Sequence, residues 1–320
     1  MWRTQTDATD SAILTVPQET LLNGKTIRRH RVEINGQKFS INKGPLSFAS
    51  LEEEWFDDLK DPEIAIAGLS QCRPHADIFT FCQRVPETEP KYTYPMRWES
   101  LAVLPISTYD HWWTKQVKGT TRNMIRKSQK TGVEVREATF NDDFVRGMVD
   151  IFNESPVRQG RRFWHYGKDF ETVKRQFSRF LFREDLIGAY YQSELIGFVM
   201  LGNAGRFGVL GQFISKFKHR DKATNNALMA KTVEICEKRQ LPYLTYGSWT
   251  DSSLVDFKRH CGFWEVKLPH YFVPLTLRGR VASKLGLDRL YADWRAILPK
   301  QIKRPLKRLR LQLAGLNKGF

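Results

Sequence analysis

Three consecutive segments of β character constrain the fold of this chain most. The segments DLIGAYY (185–191), ELIGFVML (194–201) and RFGVLGQFIS (206–215) are rich in apolar, β-branched and aromatic residues. Because only short turns separate them, the pattern predicts three neighbouring antiparallel strands. The glycines of the second turn, GNAGRFG at 202–208, do not follow a nucleotide-binding spacing and join two predicted strands, which indicates a hairpin turn.

The residues around this block alternate between helical and extended patterns. Strands are predicted at 98–106, 133–139, 242–249 and 263–275, and helices at 108–130, 141–152, 169–182, 225–239 and 253–261. This order predicts an α+β (mixed α/β) chain in which a central mixed sheet carries helices on both faces.

Composition and charge divide the chain into three parts. Residues 1–95 consist of short extended runs around an acidic, apparently helical stretch at 50–61, and carry 11 Lys/Arg against 14 Asp/Glu. A proline-rich stretch predicts a boundary near residue 95. Residues 96–275 form the central unit, and residues 276–320 form a basic tail with 12 Lys/Arg against 2 Asp/Glu. We therefore expect an anionic partner to be bound by the central unit or by the tail.

Several classes of protein are disfavoured by what the sequence lacks. Its cysteines, Cys72, Cys82, Cys236 and Cys261, include no CxxC pair. This argues against a disulfide framework and a zinc site, and we expect no bound metal. No stretch approaches the ~20 apolar residues of a membrane-spanning helix, and the first residues do not resemble a secretory signal. A cytoplasmic protein is therefore expected.

Two local motifs lie at either end of the central unit, RNMIRKSQKTGVEV at 122–135 and FKRHCGF at 257–263. The first is similar to the RNxxRKAxKxGVxV stretch, and the second to the FK-x-x-x-G segment, of the Fem-type peptidyltransferase branch of the GNAT acyltransferase superfamily. The order of the predicted elements over residues 96–275 resembles the GNAT fold as well. From the duplicated architecture of that family, residues 1–95 are interpreted as a degenerate second copy.

The resemblance implies an N-acyltransferase that moves an acyl or aminoacyl group from acyl-CoA or aminoacyl-tRNA to an amine. The implied acceptor is an amine-bearing glycan or peptide of cell-envelope or peptidoglycan-precursor synthesis. An opening between the strands at 206–215 and 242–249 would give the donor its place. The alternative is a non-catalytic protein of GNAT fold that binds RNA or an anionic membrane surface, with a steep dependence on salt.

A basic loop, KFKHRDKATNN at 216–226, joins the β block to a predicted helix. Its cations and the free N–H groups of the helix N-terminus would attract phosphate. In the GNAT family the matching loop binds the coenzyme A pyrophosphate through a Q/R-x-x-G-x-G/A pattern; here the first position is kept and both glycines are replaced, which argues against the usual pose. A solvated basic loop is the alternative. The candidate donor-binding residues are Lys218, Arg220, Lys222, Ala223, Thr224 and Asn225.

Lys258 is the first candidate catalytic residue. Typical GNAT enzymes have near this position a tyrosine that protonates the departing thiolate. A lysine ammonium near the acyl carbon can instead stabilise a developing oxyanion, and the resemblance assigns that role to the lysine of the FK motif. The alternative is a surface lysine on an amphipathic helix whose buried stripe contains Leu254, Phe257 and Cys261.

The acceptor amine must also lose a proton. The sequence contains no evident nucleophile with an oriented base, which favours direct transfer to the amine. A carboxylate or a histidine near the site would then accept the proton. The candidates on predicted loops are Glu154, His165 and Asp251.

Further basic segments are candidate binding surfaces. The segment 157–167 combines arginines with aromatic side chains and suits a planar or anionic substrate, although core packing explains the aromatics equally well. Its candidate substrate-binding residues are Arg161, Arg162 and Trp164, together with Phe257. The helix at 115–130 carries an unpaired basic stripe, Lys115, Lys118, Arg122, Arg126 and Lys130. RNA phosphate, a lipid-linked diphosphate, the acidic N-terminal part or solvent alone could match this stripe.

The basic tail at 277–320 has leucines at helical spacing. Such an amphipathic helix suits the anionic inner face of a membrane, and it could also bind RNA or dock on the protein's own core. We therefore expect tRNA and an anionic membrane as partners besides the amine-bearing substrate, with the protein at the inner face of the membrane if the tail binds there.

Overall fold

The structure of the protein, a computed structural model, describes residues 13–22, 25–179, 181–249 and 253–287. The elements before residue 95 are β1 (Ile13–Leu14), β2 (Val16–Leu22), β3 (Lys25–Ile34), β4 (Gln37–Asn42), β5 (Phe48–Leu51), α1 (Pro62–Ser70), β6 (Cys72–Arg73) and β7 (Ile78–Cys82).

The elements that follow correspond closely to the predicted ones. They are β8 (Met96–Pro105), α2 (Tyr109–His111), a π-helical turn (Trp112–Gln116), α3 (Gly119–Lys130), β9 (Glu134–Ala138), α4 (Asp142–Asn153), β10 (Val157–Arg158), β11 (Arg161–Arg162), α5 (Phe170–Phe177), a 3₁₀ turn (Leu181–Arg183), β12 (Glu184–Tyr191), β13 (Glu194–Asn203), β14 (Gly208–Ser215), a 3₁₀ turn (Phe217–Lys222), α6 (Thr224–Lys238), β15 (Tyr243–Ser248), α7 (Ser253–His260), β16 (Trp264–Pro274) and α8 (Leu277–Lys284).

Twelve of the described strands form one mixed sheet, in the order β2-β3-β4-β5-β7-β16-β8-β15-β14-β13-β12-β9. Strands β12, β13 and β14 are neighbours and antiparallel, as the sequence predicts, and a hairpin turn joins the last two. The long strand β16 pairs with β8 through its first residues and with β7 through its last. The sheet therefore continues across residue 95, and the division of the chain at that residue stays a prediction.

The sheet carries helices on both faces because its strands alternate apolar side chains between two cores. Ile187 and Val199 pack with Leu228 of α6 in one cluster. The neighbouring residues Leu186 and Phe198 pack instead with α4 and α5 in a second cluster. We call these two sides of the sheet the α6 face and the α4 face. The predicted mixed sheet between two helical layers is confirmed.

Two sequence predictions about helices are wrong. The acidic stretch at 50–61 is not helical, since β5 ends at Leu51 and turns follow. The helix begins at Pro62 instead, where Asp61 accepts hydrogen bonds from the backbone N–H groups of the first turn at 2.9 and 3.1 Å. The predicted helix at 108–130 is interrupted at Val117, whose backbone is extended.

The acidic turn at 52–58 has a structural role that the sequence does not indicate. Its carboxylates pair with arginines of the central unit at 2.7 to 2.8 Å, through the pairs Glu53–Arg179, Asp57–Arg183 and Asp58–Arg206. We call this contact the seam. The acidic N-terminal part therefore neutralises these arginines and does not match the basic stripe at 115–130.

Of the basic tail, the structure describes only α8 and the residues up to 287. The helix prediction for the remainder lies outside the described residues. None of the helices that the structure describes is long and apolar enough to cross a membrane.

Candidate active site at a gap in the sheet

The two parallel strands at the centre of the sheet separate soon after they meet. Strands β14 and β15 are paired only at Gly208↔Leu244 and Val209↔Thr245. Beyond that point β14 stays with β13 as far as Ser215, and β15 stays with β8 as far as Ser248. A wedge-shaped gap therefore opens between residues 210–215 and 246–248. The predicted opening between these strands is confirmed.

Lys258 lies at one edge of this gap. Lys258 lies on helix α7 and is only 3% exposed. Its ammonium donates a hydrogen bond to the carbonyl of Ser248 on β15 at 2.9 Å and lies 4.7 Å from the ring centroid of Tyr246. No carboxylate among the described residues forms an ion pair with it. Burial lowers the pKa of Lys258 to about 8. The surface-lysine interpretation is therefore wrong.

Aromatic side chains line the gap on the same face. The ring of Phe213 on β14 lies 5.5 Å from Tyr246 on β15 and 5.8 Å from Phe257 on α7. All three belong to the partly buried rim of the core on the α6 face. The structure therefore brings Phe257 and Lys258, both predicted site residues, to the same opening.

The backbone of the basic loop takes the shape that a glycine would favour. Ala223 adopts the left-handed conformation, with φ +53° and ψ +35°, immediately before α6. Only glycine adopts this region without a steric cost from Cβ. The family's first glycine position is therefore occupied by an alanine that is held in a glycine-like conformation.

The N-terminus of α6 offers polar groups that the chain itself does not use. No side chain caps the helix. Thr224 is 3% exposed, and neither its Oγ1 nor the buried Oδ1 of Asn225 has a hydrogen-bond partner within the described part of the chain. Buried polar atoms are normally satisfied. The free backbone N–H groups and the Thr224 hydroxyl can donate hydrogen bonds at the positive end of the helix dipole, which suits a ligand that carries phosphate.

The cations of the loop differ in their exposure. Lys218 and Arg220 are exposed, and the Arg220 guanidinium lies 4.5 Å from the ring centroid of Phe217. Lys222 is half-buried, pairs with Asp221 at 3.1 Å and lies over the ring of Tyr191. The loop thus presents two exposed cations beside the uncapped helix end.

Glu154, at the end of α4, anchors this loop. Its carboxylate accepts the backbone N–H groups of Phe217 at 2.6 Å and Lys218 at 2.8 Å, and one oxygen also accepts from Arg158 at 3.1 Å. Arg158 in turn donates to the carbonyl of Ser215 at the end of β14. Because both oxygens of Glu154 are engaged, the structure gives this residue a positioning role in place of the predicted proton transfer.

His165 is buried away from solvent. It is 1% exposed and stacks on Phe152 of α4, with 4.3 Å between the ring centroids. Burial lowers its pKa to about 2, so the imidazole is neutral. A side chain enclosed in this way does not contact an acceptor, so the predicted catalytic role does not fit its position. The third candidate, Asp251, lies outside the described residues.

The predicted substrate-binding residues of the segment 157–167 lie on a separate hairpin. Arg161 and Arg162 form β11, which pairs with β10, and both are exposed. Trp164 is 46% exposed, and the ammonium of Lys168 lies 4.2 Å from its ring centroid. The link between this hairpin and the gap is Arg158, through its bond to Ser215.

A cavity of about 380 Å³ opens on the α4 face of the gap, and the sequence analysis missed it. Residues from both halves of the chain line it, among them Phe56, Arg84, Gln212 and Thr245. Glu184, the first residue of β12, contributes a carboxylate whose Oε2 is buried and has no hydrogen-bond partner in the ranges that the structure describes. Burial raises its pKa to about 7.

Glu184 could have been noticed from its place in the sequence. It precedes Leu186 by two residues in the alternating strand and therefore lies on the same face as a core residue. An acidic residue at such a position is unusual.

Comparison with solved structures identifies the fold. The chain is similar to the crystal structure of FemX, with a TM-score of 0.55 and 10% identity over 86% of this chain and 92% of that one. It is also similar to the C-terminal domain of a putative lysylphosphatidylglycerol synthetase from Agrobacterium fabrum, with a TM-score of 0.52 and 11% identity over 80% and 87% of the two chains. The chain has a Fem-type, GNAT-like fold.

A third similar structure is a conserved protein of unknown function from Bacteroides thetaiotaomicron, with a TM-score of 0.51 and 10% identity over 77% of this chain and 86% of that one. No protein-family model and no curated protein match the sequence. Among the residues that the structure describes there is no cluster of three His, Cys, Asp or Glu side chains that could hold a metal ion.

Proposed function

We propose that this protein is an N-acyltransferase that moves an aminoacyl or acyl group onto the amine of an acceptor. The observation that carries the proposal is the buried Lys258 ammonium at the edge of the gap between β14 and β15. An ammonium without a carboxylate partner costs folding free energy, and such a group is typical of functional sites. The Fem-type fold supports the same class of reaction.

The chemistry assigned to Lys258 is stabilisation of negative charge. When the amine attacks the acyl carbonyl carbon, the carbonyl oxygen becomes an oxyanion. A preorganised ammonium beside the gap, held by the Ser248 carbonyl at 2.9 Å, donates a hydrogen bond to that oxygen in a site of low dielectric constant. The lysine must be protonated for this role, so the rate falls as the pH rises above about 8.

The donor carries phosphate in this proposal. The uncapped N-terminus of α6, the unpartnered Thr224 Oγ1 and the exposed Lys218 and Arg220 are grouped beside the gap. Acyl-CoA and aminoacyl-tRNA both meet this requirement. The alanine at the family's glycine position places a Cβ where coenzyme A would approach the backbone, which favours aminoacyl-tRNA.

The basic residues of α3 and of the segment just before it also favour a long polyanionic donor, although the break at Val117 divides the predicted stripe. Lys115, Lys118, Arg126 and Lys130 are exposed, and none of the ion pairs in the described structure includes them. The Arg122 guanidinium is less available to a ligand, because it donates hydrogen bonds to the carbonyls of Trp113 and Val117 at 2.9 Å. Helix α3 packs against α6, so the remaining cations add positive charge next to the helix whose N-terminus we assign to the donor.

The partners named from the sequence remain part of this proposal. The acceptor is an amine-bearing glycan or peptide, and tRNA delivers the acyl group. Contact with an anionic membrane through residues 277–320 is consistent with α8, where Leu277, Val281 and Leu285 are exposed at helical spacing.

The decisive experiment offers the full chain a radiolabelled aminoacyl-tRNA or acetyl-CoA together with a mixture of amine acceptors, and measures the label in amide product. We expect transfer from aminoacyl-tRNA, and a loss of about a hundredfold or more in Lys258→Ala. Lys238→Ala, an exposed lysine on the far end of α6 paired with Glu137, is the matched control and should keep the wild-type rate.

Three outcomes separate the candidates. Transfer from acetyl-CoA but not from aminoacyl-tRNA would show that the donor is acyl-CoA, and the proposed N-acyl transfer would stand. Wild-type turnover by Lys258→Ala would remove Lys258 from the mechanism. Salt-sensitive binding of tRNA without transfer from either donor would favour the second candidate, a non-catalytic RNA-binding protein, for which the unpaired stripe on α3 is the supporting observation.

A further inference from the structure

Each face of the gap in the sheet presents a charged side chain, buried on the α6 face and half-buried on the α4 face. On the α6 face Lys258 contacts Ser248, the last residue of β15. On the α4 face Glu184 reaches the opposite edge, since a Cβ built on Gly211 of β14 would lie 3.7 Å from its Oε1. Gly211 lies two residues beyond the last position at which β14 pairs with β15. The carboxylate and the ammonium therefore face the same opening from opposite sides.

We propose that the cavity on the α4 face binds the acceptor as an ammonium on an apolar arm, and that Glu184 is the catalytic residue that removes its proton. This inference rests on the proposed transfer reaction and adds to it a site and a residue. The Glu184 carboxylate lines the cavity, its Oε2 has no partner among the described residues, and this carboxylate is the group that meets the ammonium.

The lining of the cavity explains why the ligand is an ammonium with an apolar arm. Most of its wall is apolar, including Phe56, Met200, Phe207 and Leu268. A largely apolar wall that also carries the unpaired Glu184 carboxylate favours a cation attached to a hydrocarbon chain. An unpaired buried carboxylate is costly unless a counter-charge arrives.

The reaction is balanced with this assignment. The acceptor ammonium gives one proton to the Glu184 carboxylate and becomes a neutral amine. Its lone pair forms a bond to the acyl carbon, and the carbonyl electrons move to the oxygen that faces Lys258. When the intermediate collapses, the bond from carbon to the ester oxygen breaks, and the second amine proton passes to that oxygen, which leaves as a hydroxyl group. Glu184 then releases its proton to water.

Other titratable and charged groups also face the cavity or lie next to Glu184. Arg84 lies 3.9 Å from Asp58, and Glu99 pairs with His270 at 2.9 Å. Cys82 also lines the wall. Arg183, next to Glu184, pairs with Asp57 at 2.7 Å. Because burial raises the pKa of Glu184 to about 7, half of the carboxyl groups are protonated at that pH, so transfer should rise as the pH passes through about 7 and should level off above it.

The first test is calorimetric and needs no donor. The full chain is titrated with n-hexylammonium and with 1-hexanol, which share an apolar arm and differ in charge. At pH 8 the wild type should bind the ammonium about tenfold or more tightly than the alcohol, and at pH 6 this preference should shrink. Glu184→Gln should bind both probes alike at either pH. Glu137→Gln, an exposed carboxylate on β9 paired with Lys238, is the control and should behave as wild type.

The second test uses the transfer assay. Glu184→Gln should lower the rate by about a hundredfold or more and abolish the rise of the rate with pH below 7. An unchanged pH profile, an unchanged ammonium preference, or a wild-type protein that binds neither probe would each overturn the inference. If the ammonium preference depends on Glu184 while no donor supports transfer, the amine site stands and the proposed function fails.

Discussion

The seam and the gap differ in whether their charged side chains have ion-pair partners. At the seam, Glu53, Asp57 and Asp58 each have an arginine within 2.7 to 2.8 Å. At the gap, Lys258 is buried and Glu184 is half-buried with an enclosed Oε2, and neither has an ion-pair partner in the described structure. Paired charges at the seam hold two parts of one sheet together, whereas the unpaired charges at the gap cost stability and are available for chemistry. The net charge of the chain does not distinguish structural charges from functional ones. The presence or absence of an ion-pair partner does.

The loop before α6 belongs with the gap in this comparison. Ala223 keeps a left-handed backbone without being glycine, and Thr224 buries a hydroxyl without a partner among the described residues. Uncompensated features of this kind concentrate at functional sites.

The largest effect is expected at Glu184. Its pKa is raised from 4.5 to about 7 in the folded protein, so the folded state holds this proton more tightly than the unfolded state does. Stability therefore falls as the pH rises from 4.5 to 7. Glu184→Gln should remove that loss and raise the free energy of unfolding at pH 8 by up to about 3 kcal/mol, as measured by urea unfolding.

The same variant should give almost no change at about pH 4, where the wild-type carboxyl is protonated in both states. Glu137→Gln serves as the control and should show little change at either pH. A Glu184→Gln protein that is no more stable at pH 8 than at pH 4, relative to wild type, would mean that the carboxylate is already compensated.

A smaller effect is expected at Ala223. Glycine adopts φ +53° without the steric cost of a Cβ, so Ala223→Gly should stabilise the protein by about 1 kcal/mol or less. Ala227→Gly, one turn into α6, should destabilise it by about 1 kcal/mol, because that backbone is helical. Thermal unfolding of both variants measures the difference, and destabilisation by both would show that Ala223 is not strained.

The smallest effect is expected at the seam. Arg183 and Asp57 are 30% and 39% exposed, so a double-mutant cycle of Arg183→Ala and Asp57→Ala should give a coupling free energy below about 1 kcal/mol. The coupling should weaken further in high salt. A coupling of several kcal/mol that does not respond to salt would erase the contrast between the seam and the gap.

Most elements of the central unit could be predicted from the sequence because their signals are local. The apolar spacing of residues 225–239 depends only on helix geometry, and α6 lies at 224–238. The acidic stretch at 50–61 was predicted wrongly because its helical composition is local, whereas the arginines that fix its turn lie more than a hundred residues away in the chain.

The candidate site could be predicted only in part. The FK motif indicated Lys258, and the family pattern indicated the loop at 216–226, but neither could tell that the lysine is buried or that Ala223 is left-handed. Glu154 and His165 were placed on loops by pattern, and their roles as loop anchor and core residue depend on partners elsewhere in the fold.

By itself, the sequence determined the order and type of the elements, the local motifs at 122–135 and 257–263 and the distribution of charge, since each of these is a property of neighbouring residues. Only the tertiary structure decided that β14 and β15 diverge after two pairs and that residues before 95 line a cavity at the gap beside Glu184. Strand pairing and the walls of a cavity depend on segments that are distant in the chain, so no local pattern encodes them.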